Sequence, residues 1–315
     1  MSQTISDAPT FDCRVAFADT LAELARENPR IVVVCNDSVG SSNLNGFQKE
    51  FPDRLVNVGI AEQNMVGVAA GLANGGFIPF VSAAGPFLTG RALEQIKADI
   101  AYNLYPVILC GQSPGMSYGE LGPTHHSIED FAWLRPLTDL TLLNPADPQQ
   151  TRDAVRWAAG ASRPVYMRIG RFKVPSVTPE DTRFEPGRAV VVRQGHDIAL
   201  VATGVLVSRA IEAAETLAAS GISARVLNIA TIAPLDDDAV LAAARETRGI
   251  VTAEEGVRHG GLGSAVAELL AERHPARMRI LGVPHFAPTG NAGFLLDHFG
   301  LNAAGIVAAA RELLG

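Results

Sequence analysis

"VNVGIAEQNMVGVAAGLANGG" occupies residues 56–76 and sets the reading of the whole chain. A short apolar run ends at a glycine, and a stretch of small and apolar residues with helical period follows at once. That is a strand handing over to a crossover helix, the repeating unit of a parallel sheet. One charged side chain, Glu62, stands at the handover. A carboxylate in the first turn of a helix gains a few tenths to about 1 kcal/mol from the helix dipole, so a plain structural role stands beside any chemical one.

Outward from this unit, β-branched apolar runs alternate with helix-period stretches. Strands are read at RIVVVC (30–35), RLVNV (54–58), FIPFVSA (77–83), PVILCG (106–111), LTLLN (140–144) and PVYMRI (164–169). Helices are expected at 15–28, 62–74, 91–103, 127–134 and 147–159, the last opened by Asp147 as cap and Pro148 in the first turn. RFKVPSVTPEDTRFEPGR (171–188) then breaks the pattern with three prolines and alternating charge. A second alternation follows, with strands at DIALVATG (197–204), ARVLNI (224–229), GIVTAEE (249–255) and MRILGV (278–283). Its helices are expected near 205–219, 236–244, 263–271 and 303–314. The class is α/β: two domains, 10–172 and 196–315, each a mainly parallel sheet flanked by helices, joined by a linker at 173–195.

Composition narrows the function. Of the 315 residues, 47% are hydrophobic and 19% charged, a globular balance, and no apolar run reaches the roughly 18 residues of a membrane span. The net charge of −7 comes with no clustered Lys/Arg stripe, which argues against nucleic acid. MSQTISDAPTFDC (1–13) has neither a basic nor an apolar leader segment, so a cytoplasmic location is expected. Cys13, Cys35 and Cys110 are an odd number and widely spaced, consistent with reduced, structural thiols.

Nucleotide signatures are missing: there is no GxGxxG after a strand and no GxxxxGK[ST], and HGGLGS (259–264) is only a glycine-rich helix entry. GELGPTHHSIED (119–130) directly follows the strand at 106–111, and such loops are where open α/β sheets bind ligands. His125 and Glu129 lie one turn apart if a helix forms, which is compatible with a metal site, yet no third ligand stands at a recognisable spacing. Three readings stay open for this loop: metal ligation, an ordinary hydrogen-bonded turn, and a catalytic group at the mouth of the sheet.

The order of residues 59–96, 119–151 and 163–171 (GIAEQNM…ALEQI, GELGPTHHSIED…PQQT, RPVYMRIGR) resembles the pyrimidine-binding domain of transketolases. EEGVRHGGLGSAVAELL (254–270) resembles their C-terminal domain. Full-length members also carry an N-terminal half whose GDG…N signature holds magnesium and diphosphate, and no GDG occurs here. The resemblance therefore implies the second subunit of a split transketolase, dependent on thiamine diphosphate and Mg2+ whose diphosphate and metal are held by an N-terminal-half partner chain. This chain would supply no metal ligand, would be inactive alone, and would assemble as α2β2. Apolar surface at residues 69–80 is expected at an interface.

By the same resemblance Glu62 is the glutamate that hydrogen-bonds to N1′ of the aminopyrimidine. For that role its carboxyl must hold or share a proton, which the apolar neighbours VNVGIA and MVGVAAG are expected to favour. Phe87 matches the aromatic under the pyrimidine, with an ordinary core phenylalanine as the plain alternative. His125 matches a histidine at the reacting end of the substrate, Arg168 an arginine that binds sugar phosphate, and Asp37, more loosely, a polar residue beside the thiazolium.

Departures from the family pattern bear on substrate. Gly90 and Leu93 stand at two further aromatic positions, Leu121 replaces an aspartate that contacts a substrate hydroxyl, and Ser113 replaces a phosphate-binding histidine. Loss of a buried hydroxyl contact changes discrimination by orders of magnitude. A branched or deoxy ketose phosphate, such as apulose phosphate, is expected rather than the ordinary pentose phosphates. The rival enzyme readings are the beta subunit of a thiamine-dependent 2-oxo acid dehydrogenase and deoxyxylulose phosphate synthase; a non-catalytic α/β scaffold subunit is the rival of a different class. His259 and Glu254 are assigned no catalysis.

Overall fold

The run Ile31–Cys35 is buried along its whole length, as a parallel strand covered on both faces requires. In the computed structural model, which describes residues 5–315, it lies inside a seven-stranded sheet; residues 1–4 of the stretch read above for a leader lie outside the described residues. The strand order is Thr231–Ala233, Thr141–Leu143, Val165–Ile169, Ile108–Gln112, Ile78–Ala84, Ile31–Cys35, Leu55–Asn57. All neighbours are parallel except Thr231–Ala233, which runs antiparallel at one edge. A second sheet of five has the order Met278–Val283, Ile250–Val257, Ile198–Ala202, Ala224–Asn228, Val190–Arg193, with only the last strand antiparallel. The α/β class stands, and parallel pairing brings the carboxyl ends of the first sheet's strands to one edge.

Helix Glu62–Asn74 forms over the expected residues, starting shortly after the left-handed turn at Gly59. The helix expected at 91–103 differs. It is wound as π-turns at Phe87–Arg91 and Ile96–Ala101 around a short α segment, Leu93–Gln95. The helix expected at 127–134 is shortened to Asp130–Leu134, because the backbone of Ser127 pairs with Gly115 in both directions, at 2.9 and 2.7 Å.

The stretch 173–195 is not a free linker. Lys173–Pro175 pairs with Thr10–Asp12, and Val190–Arg193 joins the second sheet. Two helix-capping carboxylates pin the segment between: Asp147 accepts N–H groups of Val177 and Thr178 at 2.8 and 2.7 Å, and Asp236 accepts that of Ala189 at 2.7 Å. By length and composition the segment Ala292–Leu314 is apolar enough to cross a bilayer. Here it is broken at Gly300 and turns Leu295, Leu296, Leu301, Ile306, Val307, Ala310 and Leu313 into a core. The two halves share that core: Met116, Ile128 and Ala146 of the first half pack with residues of the second.

The seam between the halves is polar at its centre. Arg168 and Asp130, both buried, form a two-pronged ion pair, with Nε to Oδ2 at 2.9 Å. Tyr166 donates its hydroxyl to Asp130 at 2.5 Å, and Arg168 donates to the carbonyls of Ser127 at 3.3 Å and Glu255 at 3.0 Å. The Glu255 side chain accepts the N–H of Met116 at 2.6 Å, crossing from the second sheet to the loop that leads to His125. Gly115 beside it has φ +62°, and a Cβ there would run into the Glu255 carboxyl, so this position requires glycine on two counts.

Burial pushes the Glu255 carboxyl up to about 8 from an ordinary value of 4.5, against the smaller opposing pull of the Met116 N–H and Arg168. The folded chain keeps a proton that the unfolded chain releases, so this contribution to stability is complete below about pH 4.5 and is lost as pH rises through about 8. Denaturant midpoints measured across that window are expected to fall with rising pH in the wild-type chain, with a component missing in Glu255→Gln. Parallel curves for the two proteins would contradict the assignment.

Candidate active site

Glu62 opens its helix at the carboxyl edge of the first sheet and is 4% exposed. Its Oε1 accepts Asn36 Nδ2 at 2.8 Å and Arg91 Nη1 at 2.9 Å. Asn36 is held in turn by Ser38, whose hydroxyl donates to its Oδ1 at 2.7 Å. The second carboxylate oxygen, Oε2, has no hydrogen-bond partner among the described residues. The apolar wrapping expected around Glu62 is thus only part of its setting, since Met65 and Val66 are buried on its helix but an amide and a guanidinium hold the carboxylate.

From Glu62 a line of planar groups follows the edge of the sheet. Arg91 lies over the ring of Phe87, 4.0 Å from its centroid. The π-turn between them explains this: four residues make nearly one turn, so positions 87 and 91 are stacked along the axis. Phe87 meets the ring of His125 edge-on at 5.0 Å, His125 meets Tyr118 at 6.3 Å, and Arg171 lies 5.1 Å over Tyr118. His125 is half-buried, with Nδ1 3.0 Å from Thr124 Oγ1. The loop carrying it is braced from the second half, where Gly290 donates to the Gly119 carbonyl at 3.1 Å and Thr289 fills the space beside Gly122.

Four expectations need correction. Arg168 is not a surface ligand for a sugar phosphate: its guanidinium is buried and committed to Asp130, Ser127 and Glu255. Arg171 has the position that role requires, two residues past the carboxyl end of Val165–Ile169 and half-buried beside Tyr118. Asp37 is exposed at φ +68° with its carboxylate accepting Asn57 Nδ2 at 3.2 Å, and its neighbour Asn36 is the one that reaches Glu62. Ser113 is fully buried at φ +55°, with no hydrogen-bond partner for its hydroxyl among the described residues, so it does not present that hydroxyl at the surface of the cleft. The apolar surface expected at 69–80 is only partly there: Ala69, Ala70, Ala73 and Phe80 are inside the chain while Phe77 is exposed, and Val56 and Ile60, closer to Glu62 in sequence, are exposed as well.

Leu121 is exposed on the turn before His125, in keeping with a place at the mouth. Gly90 is explained by Trp133, whose ring comes within 3.0 Å of where a Cβ would stand, so an aromatic group reaches this region from Asp130–Leu134 rather than from position 90. Asn36, Arg91, Tyr118, Trp133 and Arg171 were not singled out from sequence. Strand-end position was the available signal for Asn36 and Arg171, and spacing of four from Phe87 was the signal for Arg91.

The donor set suits an aminopyrimidine: a carboxylate with one uncommitted oxygen, an aromatic face next to it, and a histidine at the ring's edge. That a flat, nitrogen-bearing cation, Arg91, already bridges Phe87 and Glu62 is direct evidence that a planar group fits between them.

Comparison with known proteins gives the family. Residues 10–176 match the transketolase pyrimidine-binding domain, and residues 187–306 the transketolase C-terminal domain. A subunit of the apulose-4-phosphate transketolase of Phocaeicola vulgatus is 42% identical over 96% of this chain and 97% of its own length. The 6-deoxy-6-sulfo-D-fructose transketolase subunit SqwH of a Clostridium species is 39% identical over 95% of this chain and 94% of its own. Among solved structures, a split-gene transketolase described as an inactive beta4 tetramer superposes with a TM-score of 0.88 at 42% identity, covering 97% of this chain and 99% of that one. The chain belongs to the transketolase family, the thiamine-dependent transferases of ketol groups, and corresponds to the half of a split enzyme that carries the pyrimidine-binding and C-terminal domains.

Proposed function

We propose that this chain is the second subunit of a heteromeric transketolase that moves a two-carbon ketol unit from a non-standard ketose phosphate, branched or deoxygenated, to an aldose. The observation that carries the reading is Glu62: a nearly buried carboxylate, fixed through Oε1 by Asn36 and Arg91, with Oε2 uncommitted and with Arg91 linking it to the Phe87 face. Thiamine diphosphate, when bound, supplies the carbanion chemistry that breaks and remakes the ketose carbon–carbon bond. Glu62 Oε2 holds and passes a proton at the pyrimidine nitrogen, Phe87 carries the ring, and His125 hydrogen-bonds at the reacting end of the substrate. Arg171 takes the terminal phosphate, where a guanidinium beside an aromatic ring suits a doubly hydrogen-bonded anion.

The partner follows from what this wall lacks. It has no GDG segment, and Ile60, two residues before Glu62, is 78% exposed. An N-terminal-half partner chain with the Mg2+ and diphosphate site would cover Ile60 and close the cleft, in an α2β2 assembly. The substrate assignment is supported by relatives named for apulose 4-phosphate and for 6-deoxy-6-sulfo-D-fructose, and by Leu121 on the mouth loop where a hydroxyl-binding aspartate is usual.

Four measurements test this reading. Glu62→Ala should still assemble with the partner but turn over at least about 10²-fold more slowly, as loss of a general acid–base group predicts; wild-type turnover would remove Glu62 from the mechanism. In a scan of ketose phosphate donors against one aldose acceptor, turnover of xylulose 5-phosphate equal to that of the branched and deoxygenated donors would refute the substrate class. Arg171→Ala should raise KM for a phosphorylated donor about tenfold or more with little loss of stability. Arg168→Ala should instead lower stability by about 3–5 kcal/mol, the cost of stranding a buried carboxylate. The reverse pattern would restore Arg168 as the phosphate ligand.

A further inference from the structure

Arg91 lies against the same two side chains, Phe87 and Glu62, to which the proposed function assigns the cofactor's aminopyrimidine, although it bonds Glu62 through Oε1 and leaves Oε2 uncommitted. Its guanidinium carbon is 4.0 Å from the Phe87 centroid, and its Nη1 is 2.9 Å from Glu62 Oε1. A ring that stacks on Phe87 while reaching Glu62 must lie on the side of Phe87 that faces Glu62, and Arg91 is on that side. Two planar groups cannot share one aromatic face at van der Waals separation. Arg91 or the ring must therefore be elsewhere when the other is in place.

We propose that Arg91 is a built-in occupant of the pyrimidine place: it pairs with Glu62 while the site is empty, yields to the ring when thiamine diphosphate binds, and so sets the affinity for the cofactor. This deepens the thiamine reading of the site and rests on it. A nearly buried carboxylate needs compensation, and in the chain without cofactor Arg91 provides the cationic part of it. The arrangement is also built for release. Arg91 is 49% exposed while Glu62 is not, and its hydrogen bond to Glu62 is its only one among the described residues. Gly90 beside it offers no side chain to hold it. When Arg91 leaves, Asn36 stays on Oε1, so Glu62 keeps its orientation and one donor. The affinity consequence is a population effect: a site whose competent state is only part of the ensemble binds more weakly by that fraction.

The test is calorimetric titration of thiamine diphosphate, with Mg2+, into the complex of this chain with its GDG-bearing partner. Arg91→Ala should bind about tenfold more tightly than wild type, because the competitor is gone. Arg91→Lys, which keeps the charge but not the planar face, should fall between them. In a Glu62→Gln background the gain from Arg91→Ala should shrink, since the pair it breaks is already weakened. Equal or weaker binding by Arg91→Ala would overturn the proposal and make Arg91 a bystander or a contact to the bound cofactor. Should Arg91→Ala fail to assemble, binding by Arg91→Lys no tighter than wild type would overturn it equally. No binding by the wild-type complex would instead strike the thiamine reading, and this inference with it.

Discussion

The ion pair between Arg168 and Asp130 is the interaction on which the site's construction depends. Removing two charges from water costs several kcal/mol per ion, and only full hydrogen bonding makes such a pair tenable. That condition is largely met: both prongs of the guanidinium engage Asp130, Tyr166 donates to the same carboxylate, and two carbonyls take two of the three other N–H donors. A lysine has no fork with which to do this. The carbonyls come from Ser127, on the loop of His125, and from Glu255, in the second sheet. One guanidinium therefore joins a strand of the first sheet, the loop that carries a candidate catalytic residue and the neighbouring domain. Phe131 lies flat against it at 4.0 Å and helps exclude water.

This gives the second domain a physical task at the site. Glu255 reaches back to Met116, and Gly290 and Thr289 brace the turn at Gly119 and Gly122. The loop from 113 to 127 has little regular structure of its own, and residues so placed are held only by what surrounds them. The histidine's position is thus decided by contacts more than a hundred residues away in sequence.

Much of the fold was legible because β-branched runs buried on both faces and helices with a small apolar stripe leave a strong periodic signal, as at Ile31–Cys35 and Glu62–Asn74. Thr231–Ala233 and Val190–Arg193 were missed because short edge strands carry almost no pattern and exist by pairing with partners far along the chain. The site was legible to the level of its motifs and not to the level of which side chain faces the cleft. Arg168 and Arg171 stand in one nine-residue motif, yet the first lies within a buried strand and the second past its end. Asn36 and Asp37 are successive residues just past the strand Ile31–Cys35, yet the first reaches Glu62 while the second, in a left-handed backbone conformation, pairs with Asn57. Nothing local to Gly90 signals that Trp133 fills the adjoining space.

Electrostatics along the cleft wall runs against the protein's overall sign. The chain carries a net charge of −7, yet the line from Glu62 to Arg171 has a guanidinium at each end and aromatic rings between. Fields at a cleft are governed by the nearest charges; Arg91 is offset by Glu62, so Arg171 is what makes one end of the wall locally cationic against an acidic remainder. The two arginines differ in their freedom. Arg91 is spent on Glu62 until something replaces it, whereas Arg171 leans on a tyrosine and has no carboxylate hydrogen-bonded to it among the described residues. The end of the wall with a guanidinium free of carboxylate hydrogen bonds is therefore the end remote from Glu62. In the proposed function that polarity would orient a ketose phosphate with its phosphate at Arg171 and its reacting carbons toward Phe87 and His125.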